Sequence, residues 1–344
     1  MADTTTLNDL IAYMRSACKT LRLADDEFRF NPKTGDLEYD LGDGIQTARM
    51  TTEGVKGVCN VFKAPGAWVA KQRPDLMGYI LHDMAMHYNG DDFEMAFEIV
   101  SDENDPSIQV VSNAYDTSKQ WGIVETLEEV AKTVPGTWRV IQPDVSNDHV
   151  SIYVYDPDRE EEQFDADHAY VVGTHISYKL AKGKTVTVNT ALINTVDETA
   201  IDLSFDGTGR IGSDNSKGGL QPVIETRMGE ADKVMADLYA AKGHIIDDVE
   251  GMLDGYARQC GVGVRLLERV ATDLAGTSGV TALELADLIS RSEMGVKTET
   301  DAAKLALLAG CAFIAHDPHR CPRCHQKVDD LTAVENGIAD EAVA

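Results

Sequence analysis

Leu7, Leu10, Ile11, Met14, Cys18 and Leu21 recur at the spacing of one helical face and predict a first helix over 6–22. Phe28–Phe30 and Leu37–Tyr39 flank Asn31-Pro32-Lys33-Thr34-Gly35, a turn-forming stretch, and so read as a hairpin. A second helix is expected to open at Thr51 or Thr52, either of which can cap it, and to bury Val55, Val58 and Phe62. Pro65-Gly66 stops it. A third helix runs from Pro74-Asp75 to about Tyr88, with Leu76, Ile80, Leu81 and Met84 turned inward, and ends at Asn89-Gly90.

The period then changes. Phe93, Met95, Phe97 and Ile99 alternate with other residues, which predicts a strand over 93–100, and a second strand follows at 108–112. A helix over 118–134 precedes strands at 138–142 and 151–155, an acidic turn at 156–167, and two longer strands at 170–180 and 185–196. Ile201–Phe205 reads as an edge strand. The glycine- and serine-rich segment 206–219 reads as a flexible loop and an architectural boundary. Everything beyond has helical spacing: 222–258, 262–275, 281–293 and 299–315. The expectation is an α+β fold, a mixed or antiparallel sheet with flanking helices (1–205), then the loop 206–221. A helical C-terminal third follows over 222–328, with a frayed acidic tail at 329–344.

The sequence contains no apolar run long enough to span a bilayer and opens with no basic, apolar leader. Its 6 cysteines are scattered rather than framed for disulfides, so a reducing cytoplasm is the expected location. The net charge of −27 favours solubility and opposes general nucleic-acid binding. That charge is unevenly placed. From Gly54 to Pro74 there is no Asp or Glu, yet Lys56, Lys63, Lys71 and Arg73 fall there together with Trp68. From His168 to Val196 acids are again absent, and Lys179, Lys182 and Lys184 lie beside Tyr178. Lysines and arginines neutralise phosphates, and aromatic faces stack on unpaired bases, so these two stretches are the candidate nucleic-acid-binding residues. Neutralisation of neighbouring acids, with Trp68 in the core, is the competing reading.

Other patterns carry less. Gly207-Thr-Gly-Arg-Ile-Gly212 formally matches a dinucleotide fingerprint, but the residues after it, Ser-Asp-Asn-Ser-Lys-Gly-Gly, start a helix poorly. Cys321-Pro322-Arg323-Cys324 has the spacing of two zinc ligands. Three readings stand: an intrachain zinc site completed by His316 or Cys311, a tetrathiolate joining two chains, or no metal. The remaining histidines have no nucleophile beside them in sequence, and Asp247, Asp248, Glu250 and Asp254 read as a solvated helix face. No catalytic residue is assigned.

Three segments resemble a phage/plasmid-like family of uncharacterised proteins known by a domain-of-unknown-function label. They are Ala67-Trp68-Val69-Ala70-Lys71-Gln72-Arg73-Pro74-Asp75-Leu76, then Ile108 to Ser118 through Ser112 and Tyr115, and Val172-Gly173-Thr174-His175-Ile176-Ser177. The resemblance spans about 50–200 and implies a mobile-element origin near replication and recombination genes. The functional expectation is a non-catalytic protein that binds or anneals single-stranded nucleic acid and forms homo-oligomers, with no membrane partner. The alternative is a protein-binding or assembly protein, such as a virion component or an acidic inhibitor of a host DNA-binding enzyme.

Overall fold

The computed structural model describes residues 6–88, 94–102, 104–117, 121–146, 149–159, 161–164, 168–179, 185–203, 209–212, 221–273, 279–293, 296 and 299–317. The fold is α+β, and its contacts divide it into two compact units. The first unit is 1–154 with 176–187 and 210–224, and the second is 155–175 with 188–209 and 225–344.

The first unit opens with α1 (Leu7–Ala17), capped by the Thr6 hydroxyl, which accepts from the Asp9 N–H. At Cys18 the backbone turns extended and the chain continues as β1 (Cys18–Ala24), so the expected helix over 6–22 ends earlier than its spacing suggested. Leu21 satisfies both periods, but Thr20, Leu21 and Leu23 gain more as a strand packed on a sheet than as further helical turns. The hairpin β2 (Phe28–Phe30) and β3 (Leu37–Asp40) forms as expected, with Phe28 opposite Tyr39. The strand β4 (Ile45–Met50) pairs antiparallel with β3 and was not foreseen.

Thr51 caps α2 (Thr52–Val61) by accepting from the Gly54 N–H at 3.0 Å. The short α3 (Gly66–Val69) and α4 (Pro74–His87), with Pro74 in the first turn, follow. Strands β5 (Glu94–Ser101) and β6 (Gln109–Asp116) complete a sheet in the order β1-β5-β6-β4-β3-β2, antiparallel except where β4 runs parallel to β6. Leu21, Leu23, Phe97, Ile99, Val111 and Ala114 face α2 and form one core with Val55, Val58 and Cys59. The helices α1 and α5 (Ile123–Ala131) pack together, and neighbouring strands β7 (Arg139–Ser146) and β8 (His149–Tyr155) complete this part of the chain.

Strand β9 (Glu162–Gln163) pairs with β10 (Ala169–Lys179), which lies next to β11 (Thr185–Asn194); β12 (Thr199–Asp202) pairs antiparallel with β11. Within the segment read as a loop, Gly209–Gly212 form a strand, β13, against β11. The helices are α6 (Gln221–Met228), α7 (Ala231–Gly243), α8 (Val249–Cys260), α9 (Val264–Asp273), α10 (Ala282–Glu293) and α11 (Glu299–Phe313). The helix expected over 222–258 is thus three helices. It breaks at Gly229 and again at β14 (Ile245–Ile246), which pairs with β15 (Val280–Thr281). Leu192, Ile201 and Leu203 share one core with Leu238, Leu285, Ile289, Leu308 and Phe313. Among the described residues no helix is long and apolar enough to cross a membrane.

Candidate nucleic-acid interface

The first acid-free stretch folds as α2, a tight turn and α3. Lys63 ends the turn with a positive φ of 56°, and the Ala64 N–H donates to the Cys59 carbonyl at 2.7 Å. Gly66 then lets α3 lie directly on α2: a Cβ there would meet the Lys56 Cα at 3.0 Å and the Cys59 Cβ at 3.1 Å. Because Val69 fills the core on the inner side of this single turn, Trp68 is turned outward and is 55% exposed. Its carbonyl accepts from the Lys71 N–H and from the Gln72 Nε2, which fixes the backbone beneath the ring.

Lys63, Lys71 and Arg73, close to Trp68 in sequence, are exposed as well. Among the described residues neither Lys63 nor Lys71 has a carboxylate partner. Arg73 meets Asp75 at 3.2 Å, but both side chains are open to water, so the pair is weak and readily exchanged for a phosphate. Lys56 is paired with Glu53 at 2.6 Å and is the least available of the four. The sequence reading missed the exposure of two residues of α4. Leu76, expected inward, is exposed, and Tyr79 is 61% exposed one turn further along α4. The inner face of α4 is set instead by Gly78, where a Cβ would lie 2.5 Å from the Asn31 carbonyl, and by Leu81. The signal was present in the glycine: a helix that approaches a turn through Gly78 places the residues either side of it on the rims.

In the second basic stretch the structure corrects the reading of Tyr178. Tyr178 is 1% exposed, and its hydroxyl bridges the backbone of Trp121, donating to the carbonyl and accepting from the N–H at 3.2 Å each. A ring so enclosed cannot stack on a base; Tyr178 is a clamp. Tyr178→Phe should therefore lower stability by about 1–3 kcal/mol in a urea melt, the cost of two unmet backbone groups, and leave any nucleic-acid affinity unchanged. Lys182 and Lys184 lie outside the described residues, as does the Lys179 side chain.

Cys321 and Cys324 also lie outside the described residues. His316, their expected partner, has Nδ1 3.2 Å from the Phe313 carbonyl and Nε2 3.6 Å from Asp237, so both ring nitrogens face acceptors within the helical unit. The Cys311 sulfur lies 3.9 Å from that of Cys260. Among the described residues no cluster of three His, Cys, Asp or Glu side chains gathers as a metal site. The second unit does bury a polar group of another kind. His175 Nδ1 lies 2.5 Å from the Asp202 carboxylate, to which the Asn189 amide donates at 3.1 Å. The pair ties β10 and β11 to the end of β12.

Comparison with known protein families, curated proteins and solved structures gives no match for this chain.

Proposed function

We propose that the chain binds single-stranded nucleic acid, without chemistry of its own, through the surface formed by Lys63, Trp68, Lys71 and Arg73. The observation that carries this reading is the outward indole of Trp68, held on a hydrogen-bonded turn in the same acid-free stretch as two exposed lysines that have no carboxylate partner among the described residues. An exposed ring stacks on an unpaired base for about 1–3 kcal/mol, and the cations add a sequence-independent phosphate term. A duplex hides its base faces, so single strands are preferred. The resemblance of 67–76 to a mobile-element family fits a setting in replication or recombination, and annealing would follow if several copies line up along a strand.

An anisotropy titration with a labelled 30-nucleotide strand tests it. Three neutralised phosphates predict a salt slope near −2, so affinity should fall about 16-fold between 50 and 200 mM salt. Replacing Lys63 and Lys71 by Glu should abolish binding. No binding at 20 mM salt would sink the reading. A protein-binding role is the second reading, favoured by the exposed Leu76, Tyr79 and Met86 on α4. It predicts association of the chain with itself or another protein that Tyr79→Ser weakens and the lysine changes spare.

A further inference from the structure

The helical unit holds two thiols in contact. Cys260, the last residue of α8, and Cys311, in the last turn of α11, have sulfurs 3.9 Å apart and are 51 residues apart in sequence. Both are almost fully buried, among Leu253, Ala257, Leu308 and Ala312. A disulfide needs its sulfurs at about 2.05 Å, so these two sulfurs, already in contact, have roughly 2 Å left to close. The other described cysteines are placed differently. Cys18 donates to the Glu98 carboxylate, and Cys59 is buried on α2 where α3 packs against it.

We propose that Cys260 and Cys311 are a redox-sensitive staple, thiols under reducing conditions and a disulfide joining α8 to α11 when a disulfide-type oxidant is present. Cys260 is the entry sulfur. It is the final residue of its helix, followed by Gly261 in a left-handed cap (φ 69°), and Gly261 is exposed; fraying of that last turn admits the oxidant. The Cys260 thiolate attacks one sulfur of the oxidant, for example glutathione disulfide, and expels the first thiolate. Cys311 then loses its proton and attacks the Cys260 sulfur, expelling the second. One S–S bond forms and one breaks; the protein gives up two protons and two electrons, and the oxidant leaves as two thiols. The product closes a long loop between two packed helices, which restricts the unfolded chain and raises the melting temperature of the unit. This inference stands apart from the nucleic-acid reading.

The full-length chain, folded, is incubated with glutathione disulfide, blocked with iodoacetamide and digested with trypsin. The expected product links Gln259–Arg265 to Leu305–Arg320 with the mass of two hydrogens missing, is reversed by dithiothreitol, and accompanies a rise in melting temperature on the order of 5 °C. The link should persist in Cys321→Ser/Cys324→Ser and vanish in Cys260→Ala. Full alkylation of both cysteines in the folded protein, or linkage of Cys260 to Cys321 or Cys324 instead, would overturn it. So would a crosslinked protein that melts lower.

Discussion

Gly57→Ala should destabilise the protein by about 3 kcal/mol, although the same change in an open helix stabilises by up to about 1 kcal/mol. The reversal comes from how α2 meets the sheet. A Cβ at Gly57 would lie 2.4 Å from the Ala114 carbonyl oxygen and 2.7 Å from its nitrogen, and one at Gly54 would lie 2.5 Å from the Val111 carbonyl. These are backbone atoms of β6, which cannot swing aside as a side chain can. The helix must lift, and Val55, Val58 and Cys59 lose their contact with Phe97, Ile99 and Ala114. Because α3 sits on α2 through Gly66, the Trp68 turn should move as well, so nucleic-acid affinity should fall with stability. Gly255 in α8 is the control: a Cβ there meets nothing within 4 Å, so Gly255→Ala should raise stability by about 0.5–1 kcal/mol. Urea melts followed by circular dichroism read both. Equal effects of the two changes would show that α2 does not approach β6 this closely.

The second large effect is alkaline unfolding. Glu98 is fully buried on the sheet face opposite α2, and three donors reach its carboxylate: the thiol of Cys18, the hydroxyl of Thr20 at 3.1 Å and that of Tyr115 at 3.1 Å. Burial, and then the adjacent carboxylate, push Cys18 and Tyr115 far above their ordinary values. Burial alone raises Cys59 to about 11 and also lifts Tyr39. Each of these groups holds its proton more tightly when folded, so its contribution is complete below the unfolded value and is lost as pH rises. The window begins near pH 9, where unfolded cysteines ionise, and widens near pH 10 with the tyrosines. Each group costs up to about 1.4 kcal/mol per pH unit between its unfolded and folded values, so several such groups together weigh heavily against the small net stability of an ordinary domain. The melting temperature should stay level from pH 7 to 8.5 and fall steeply above 9.5. Cys59→Ala should soften the fall between pH 9 and 11, and a level curve to pH 11 in the parent protein would contradict the buried cluster.

The α+β class and most elements were legible because their apolar periods are local. The losses have physical causes. Leu21 fits helix and strand equally, so only the packing of Leu23 against the sheet ends α1 at Ala17. Glu98 sits between Phe97 and Ile99 in an alternating strand, which reads as a solvated position; the second covered face that buries it is made by distant segments. Ile245-Ile246 interrupts a helical run because it finds a partner at Val280-Thr281. At the candidate site the lysines and Trp68 were visible as an acid-free stretch, whereas Tyr178 was misread because exposure of an aromatic is a tertiary property. Tyr79 was missed for the same reason.

The most direct test of the nucleic-acid surface is the fluorescence of Trp68 itself. It is the most exposed of the tryptophans, since Trp138 is buried and Trp121 is partly covered beside Tyr178. Titration with a single-stranded oligonucleotide at low salt should quench and shift the emission of the parent protein, and a duplex should do so weakly. In Trp68→Leu the quench should disappear and affinity should drop about tenfold, the value of one stacked base. Binding with unchanged emission, or a Trp68→Leu protein that binds as tightly as the parent, would contradict the account.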